Sequence, residues 1–159
     1  MSAATAFALD LPDEAATAGL AGRLAARARA GDVIGLAGDL GSGKTTFARA
    51  FIRALGTGDE EVPSPTFTLV EVYAFAGRPP VWHFDLYRLT APEQSWELGI
   101  EDALAEGISL IEWPERLGRL LPEEHLLLGL EPGAQPTARV ARLEATAEWA
   151  QRLQGIGHG

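Results

Sequence analysis

Residues 38–45 read Gly-Asp-Leu-Gly-Ser-Gly-Lys-Thr, which fits the phosphate-binding pattern G-x-x-x-x-G-K-[ST]. The chemistry follows from the residue types. Glycines admit backbone angles that turn successive N–H groups inward, making a nest for an anion. A helix beginning at Lys44 adds the unpaired N–H groups of its first turn and the positive end of its dipole. On this reading the loop Gly38-Asp39-Leu40-Gly41-Ser42-Gly43, with Lys44 and Thr45 after it, surrounds the phosphates of a nucleotide. Lys44 reaches the β- and γ-phosphates, and the Thr45 hydroxyl holds Mg²⁺. The lysine stands out because it is the only one in the chain, against twelve arginines. A compact ammonium sits at the one position where a point charge has to fit among phosphates.

A phosphate site of this kind needs an acid at the end of a neighbouring apolar strand, close to the metal. Ile108-Ser109-Leu110-Ile111-Glu112 and Val81-Trp82-His83-Phe84-Asp85 both supply one. Glu112 has the cleaner apolar run, and Pro114 stops the strand just beyond it. Ser64-Pro65-Thr66-Phe67-Thr68 brings hydroxyls that can sense the γ-phosphate or Mg²⁺, as switch segments do, or simply turns the chain into a strand. His83 reads as a packed strand residue rather than a base, and Trp113 as a core or rim residue rather than a stacking platform. The chain has no asparagine, so the N-K-x-D box by which many GTPases read guanine is absent. ATP is therefore the expected nucleotide.

The elements that must position these groups can be read from periodicity and punctuation. Residues 5–9 suit a short edge strand. Asp13 caps a helix expected to run to about Ala30, and Val33 to Ala37 is a short apolar strand. The helix from Lys44 places Phe47, Ala50, Phe51, Ala54 and Leu55 on one face and stops at Gly56. Phe67 to Phe75 and Val81 to Leu86 form an expected antiparallel pair of strands. Helical pieces broken at Gly99 cover 91–104. The strand at 108–113 is followed by a helix from Pro114 to Leu121. Leu126 to Leu130 and Ala138 to Leu143 flank a turn at Pro132-Gly133, and a last helix covers 145–154, with a glycine-rich tail fraying from about 155.

Composition sets the outer bounds. The 159 residues are 47% hydrophobic and contain no cysteine, which favours one domain spanning 1–159 and excludes disulfides and thiolate metal sites. No secretory leader is visible at the start, and no apolar run approaches the roughly 20 residues of a membrane span. The expectation is a cytoplasmic chain with no membrane association. A formal net charge of −9 argues against a free-standing nucleic-acid binder, because such affinity comes mostly from neutralised phosphates.

Beyond the phosphate loop, Ser-Pro-Thr-Phe-Thr-Leu-Val-Glu at 64–71, His-Phe-Asp-Leu-Tyr-Arg-Leu at 83–89 and Ile-Glu-Trp-Pro-Glu at 111–115 resemble the TsaE (YjeE) family. Pro12 to Thr17 is also similar, and the resemblance spans about residues 5–145. It implies an α/β fold of the P-loop NTPase type, a three-layer sandwich with a mixed parallel and antiparallel sheet. It also implies a weak Mg²⁺-dependent ATPase that acts with TsaB and TsaD to make N6-threonylcarbamoyladenosine at position 37 of tRNAs reading ANN codons. In that family TsaD carries out the transfer and the ATP cycle is thought to reset the complex, so tRNA is met only through the complex. Carried onto this chain, residues 39–46 bind phosphates and Thr45 is a Mg²⁺ ligand. Glu112 is the metal-site acid, and Asp85 the essential carboxylate of its block. Thr66 lies in the switch-like segment, Trp113 near the nucleotide, and Glu14 toward the adenine or ribose. The competing expectation is a small-molecule kinase, with Arg116 and Arg119 in a lid. A third is a binding module that does not use hydrolysis.

Overall fold

The computed structural model describes residues 5–156. Seven strands form one sheet: β1 (Thr5–Leu11), β2 (Val33–Ala37), β3 (Val70–Tyr73), β4 (Val81–Asp85), β5 (Ile108–Glu112), β6 (Leu126–Pro132) and β7 (Arg139–Ala145). Their order across the sheet is β1-β7-β6-β2-β5-β4-β3. The middle four, β6-β2-β5-β4, are parallel; β7, β1 and β3 run antiparallel to their neighbours. This is the mixed sheet expected from the sequence.

Among the described residues there are four α-helices, α1 (Glu14–Arg27), α2 (Lys44–Leu55), α3 (Ile100–Glu106) and α4 (Ala147–Arg152), and two tighter 3-10 helices, Pro92–Leu98 and Pro114–Leu120. Alternation along the strands divides the apolar side chains between two faces. Ile34 and Leu36 of β2 pack with Leu20 and Leu24 of α1, Phe47 and Phe51 of α2 and Trp149 of α4. Val33 and Ile111 point the other way, toward Phe84, Ile100, Ala103 and Leu117. The sheet is therefore covered on both sides, which a parallel sheet of apolar strands requires.

Several boundaries move from their expected places for local reasons. The Asp13 carboxylate accepts from the Ala16 N–H at 2.8 Å, starting α1 as predicted. The helix ends at Arg27 rather than near Ala30. Gly31, at φ +90°, donates to the Gly107 carbonyl at 2.7 Å and turns the chain into β2. The strand expected from Phe67 begins only at Val70, because residues 65–69 form a turn closed by the Leu69 N–H on the Pro65 carbonyl at 2.7 Å. The expected helix from Pro114 to Leu121 is instead a tighter i→i+3 segment over Pro114–Leu120, kinked at Gly118. Ile156 is buried in the α1–α2 core, so the chain stays packed one residue past the expected start of fraying; residues 157–159 lie outside the described part. Among the described residues, no helix is long and apolar enough to cross a membrane.

Candidate functional site

The phosphate loop joins β2 to α2 at the carboxyl end of the parallel strands. Gly38, Gly41 and Gly43 hold φ of +140°, +77° and +106°, angles that L side chains strongly resist. At Gly38 space is limiting as well, since a Cβ would lie 2.6 Å from the Ser42 hydroxyl and 2.7 Å from the Leu130 carbonyl. Lys44, almost fully buried, donates from Nζ to the carbonyls of Gly38 at 2.7 Å and Asp39 at 2.8 Å. Its ammonium also lies 4.5 Å from the centre of the Trp113 ring. Burial lowers its pKa, against the pull of the Glu112, Asp85, Glu115 and Asp39 carboxylates.

The two candidate acids come together. Asp85 and Glu112 are register partners at the ends of β4 and β5, and both are buried. The Thr45 hydroxyl donates to Glu112 at 3.1 Å from Oε2 and 3.2 Å from Oε1. Behind it His83, fully buried on the same face of β4, meets Glu112 Oε2 through Nε2 at 2.7 Å. His83 Nδ1 has no protein partner, so this imidazole is a packed residue whose single polar contact is the Glu112 carboxylate. Trp113 follows at φ +63°, a left-handed conformation that is costly for a bulky residue, here set directly before a proline. Its ring stacks obliquely on Tyr87 at 4.9 Å between centroids.

A cleft of about 290 Å³ collects Leu40, Gly41, Gly43, Lys44, Thr45 and Thr46 of the loop and helix, together with Ser64, Thr66, Asp85, Glu112, Trp113 and Arg139. Thr66 shares a 2.7 Å hydrogen bond with Ser64 at its edge. Asp39 and Ser42 face a second cavity behind the loop, beside Leu130, Glu131, Pro132 and Pro136. Glu14 is not brought to the cleft. It lies in a groove between α1 and α2 that it shares with Thr46. Sequence reasoning missed Arg139, which lines the phosphate cleft from β7 and donates to the Ser42 carbonyl at 2.7 Å. It also missed the bond between His83 and Glu112.

The oxygens of Thr45 and Glu112 form a hard donor pair suited to Mg²⁺, with Asp85 lining the same cleft. Among the described residues, no group of three or more His, Cys, Asp or Glu side chains gathers to hold a metal. A divalent cation held here would therefore complete its coordination with phosphate oxygens and water, as the preference of Mg²⁺ for substrate phosphates leads one to expect.

An apolar strand, a glycine loop, a helix opened by Lys-Thr and acids on the adjoining strands define a P-loop NTPase-like α/β protein. Residues 11–141 match the family described as "Threonylcarbamoyl adenosine biosynthesis protein TsaE", and the chain belongs to the TsaE family, placing it in tRNA threonylcarbamoyladenosine biosynthesis. It is 40% identical over 121 residues to the "tRNA threonylcarbamoyladenosine biosynthesis protein TsaE" of Rickettsia conorii, covering 76% of this chain and 69% of that one. To the protein of the same name from Haemophilus influenzae it is 45% identical over 97 residues, 60% of each chain. The crystal structure of Bacillus subtilis YdiB superposes with a TM-score of 0.81 at 26% identity, covering 99% of this chain and 98% of that one.

Proposed function

We propose that this chain is the ATP-binding and ATP-hydrolysing subunit of the machinery that makes N6-threonylcarbamoyladenosine at position 37 of tRNAs reading ANN codons. In this reading it works with TsaB and TsaD and meets tRNA only through them. The observation that carries the reading is the convergence of the Lys44 ammonium, the Thr45 hydroxyl and the Glu112 carboxylate at one end of the glycine loop, with Thr45 and Glu112 only 3.1 Å apart.

The chain's own groups divide the work. Loop amides and the first turn of α2 bind the phosphates, and Lys44 neutralises their charge. Thr45 and Glu112 hold Mg²⁺, which supplies charge neutralisation on the phosphate oxygens when bound. Asp85, beside Glu112, positions the water that attacks, and His83 keeps Glu112 from rotating. Ser64 and Thr66 close the edge of the cleft as a switch segment. Catalysis of this kind is positioning and charge stabilisation, which suits a slow basal turnover that a partner completes. The lack of asparagine favours adenine over a guanine box. The kinase alternative gains nothing from its two lid arginines. Arg119 pairs with Glu93 at 2.7 Å, Arg116 lies over Tyr87, and neither lines the cleft.

The test uses the purified chain mixed with TsaB, TsaD, tRNA, an activated threonylcarbamoyl donor, ATP and Mg²⁺. ATP turnover should rise above that of the chain alone, and modified tRNA should accumulate. Lys44→Ala should abolish both, with ATP affinity falling by a factor of about ten to a hundred, equivalent to losing one charged hydrogen bond of about 1.5–3 kcal/mol. Unchanged ATP affinity in Lys44→Ala would refute the assignment, and phosphate appearing on a metabolite rather than in water would favour the kinase.

A further inference from the structure

Arg139 is the second cation of the phosphate cleft besides Lys44. Among the described residues, no carboxylate lies within ion-pair distance of it. Its guanidinium is instead spent on main-chain carbonyls of two separate segments. On its own hairpin Nη1 donates to Pro136 and Ala138, both at 2.8 Å. On the phosphate loop Nε donates to Ser42 at 2.7 Å, and Nη2 makes a longer contact with Gly41 at 3.4 Å. The loop and this arginine are 97 positions apart in the chain.

We propose that Arg139 is a positioning residue that clamps the phosphate loop to the β6–β7 hairpin and so fixes the direction of the loop amides. The inference rests on the nucleotide-binding reading given above. Its physical basis is peptide planarity. The Ser42 carbonyl and the Gly43 N–H belong to one rigid trans unit and point in opposite directions. Holding the carbonyl on Arg139 therefore fixes where the Gly43 N–H points, and Gly43 lines the phosphate cleft. That peptide needs an external hold, because Gly43 sits at φ +106°, where glycine alone moves freely. A charged donor on the carbonyl also polarises the unit and strengthens the amide as a donor to an anion. A lysine there would bring the same charge but not the planar fork that spans two segments.

The experiment compares Arg139→Ala, Arg139→Lys and Lys44→Ala with the wild-type chain in three measurements: ADP affinity by calorimetric titration with Mg²⁺, amide hydrogen exchange over residues 41–46 without nucleotide, and the thermal midpoint. Arg139→Ala should weaken ADP about tenfold or more, in line with one charged hydrogen bond, and speed exchange over 41–46, while melting within a few degrees of wild type. Arg139→Lys should remain as weak as the alanine variant. Wild-type affinity in Arg139→Lys would mean that charge alone suffices and would overturn the clamp. So would wild-type affinity in Arg139→Ala while Lys44→Ala fails to bind. If Lys44→Ala binds ADP normally, the nucleotide reading itself falls. The clamp then stands or falls on exchange alone, with unchanged exchange in Arg139→Ala overturning it.

Discussion

Lys44 is placed where the fold would be more stable without its charge. It is nearly enclosed, and the loss of water around its ammonium outweighs the surrounding carboxylates, so its pKa is lowered from 10.5. For a base this means that the folded state binds fewer protons than the unfolded state between the lowered value and 10.5. Stability therefore rises with pH across that window, and the burden is complete below it. Lys44→Met keeps the aliphatic packing and drops the charge. It should melt no lower than wild type near neutral pH, and the two melting curves should converge as pH climbs through the window. A variant that melts well below wild type at neutral pH would show that the bonds to Gly38 and Asp39 outweigh the desolvation. Under the nucleotide-binding reading proposed above, the trade fits a residue kept for its ligand rather than for the fold. At this scale the grouping of the candidate residues in one cleft was largely legible, because a glycine loop ending in Lys-Thr has a fixed spacing. His83 and Arg139 were not. Their partners lie 29 and 97 residues away, and nothing local marks either as polar support.

Between residues and molecule, β2 is the element on which the site depends. It carries the loop at its end and is flanked by β5 and β6. Gly35 in its middle is what lets the segment after β5 come so close. A Cβ there would lie 2.7 Å from Leu127 Cδ2 and 2.9 Å from the ring of Pro114, and Pro114 directly follows Glu112 and Trp113. Gly35→Ala should cost about 1–3 kcal/mol through overpacking, lowering the thermal midpoint by roughly 2–10 °C. It should also weaken ADP, because Pro114 can only retreat by carrying Trp113 with it. An unchanged melt in differential scanning calorimetry would mean that the contact relaxes freely. Elements with their own punctuation were read correctly, as at Asp13, Gly56 and Gly99. The expected strand start at Phe67 failed because β-propensity does not see backbone pairing. Phe67 is 80% exposed, and the 65–69 turn sends its chain away from β4 until Leu69 accepts from Asp85 at 2.9 Å. Strand order was not legible, since it is set by crossovers rather than by any segment's pattern.

The molecule as a whole separates its stability from its chemistry along β2, with the phosphate loop at one end and an ion pair at the other. Asp32, just before the strand, accepts from both Nη1 and Nη2 of Arg152 at the end of α4, and both side chains are about nine-tenths buried. Arg152 also bonds Glu148 and lies over the Trp149 ring at 4.5 Å, fastening the last helix 120 residues away in sequence onto the start of the central strand. Removing one partner of such a pair leaves a buried charge and costs about 3–5 kcal/mol. Here the lower end applies, because the Asp32 carboxylate keeps the Arg29 N–H. Arg152→Met should therefore lower urea stability by about 3 kcal/mol. Adding Asp32→Asn should recover much of that loss, since no unpaired charge then remains. Neither variant should alter ADP affinity at temperatures where it is folded, because the pair touches none of the cleft residues. If ADP affinity fell with stability in both, the two ends of β2 would be coupled, and the core between them would have to transmit that coupling to the loop.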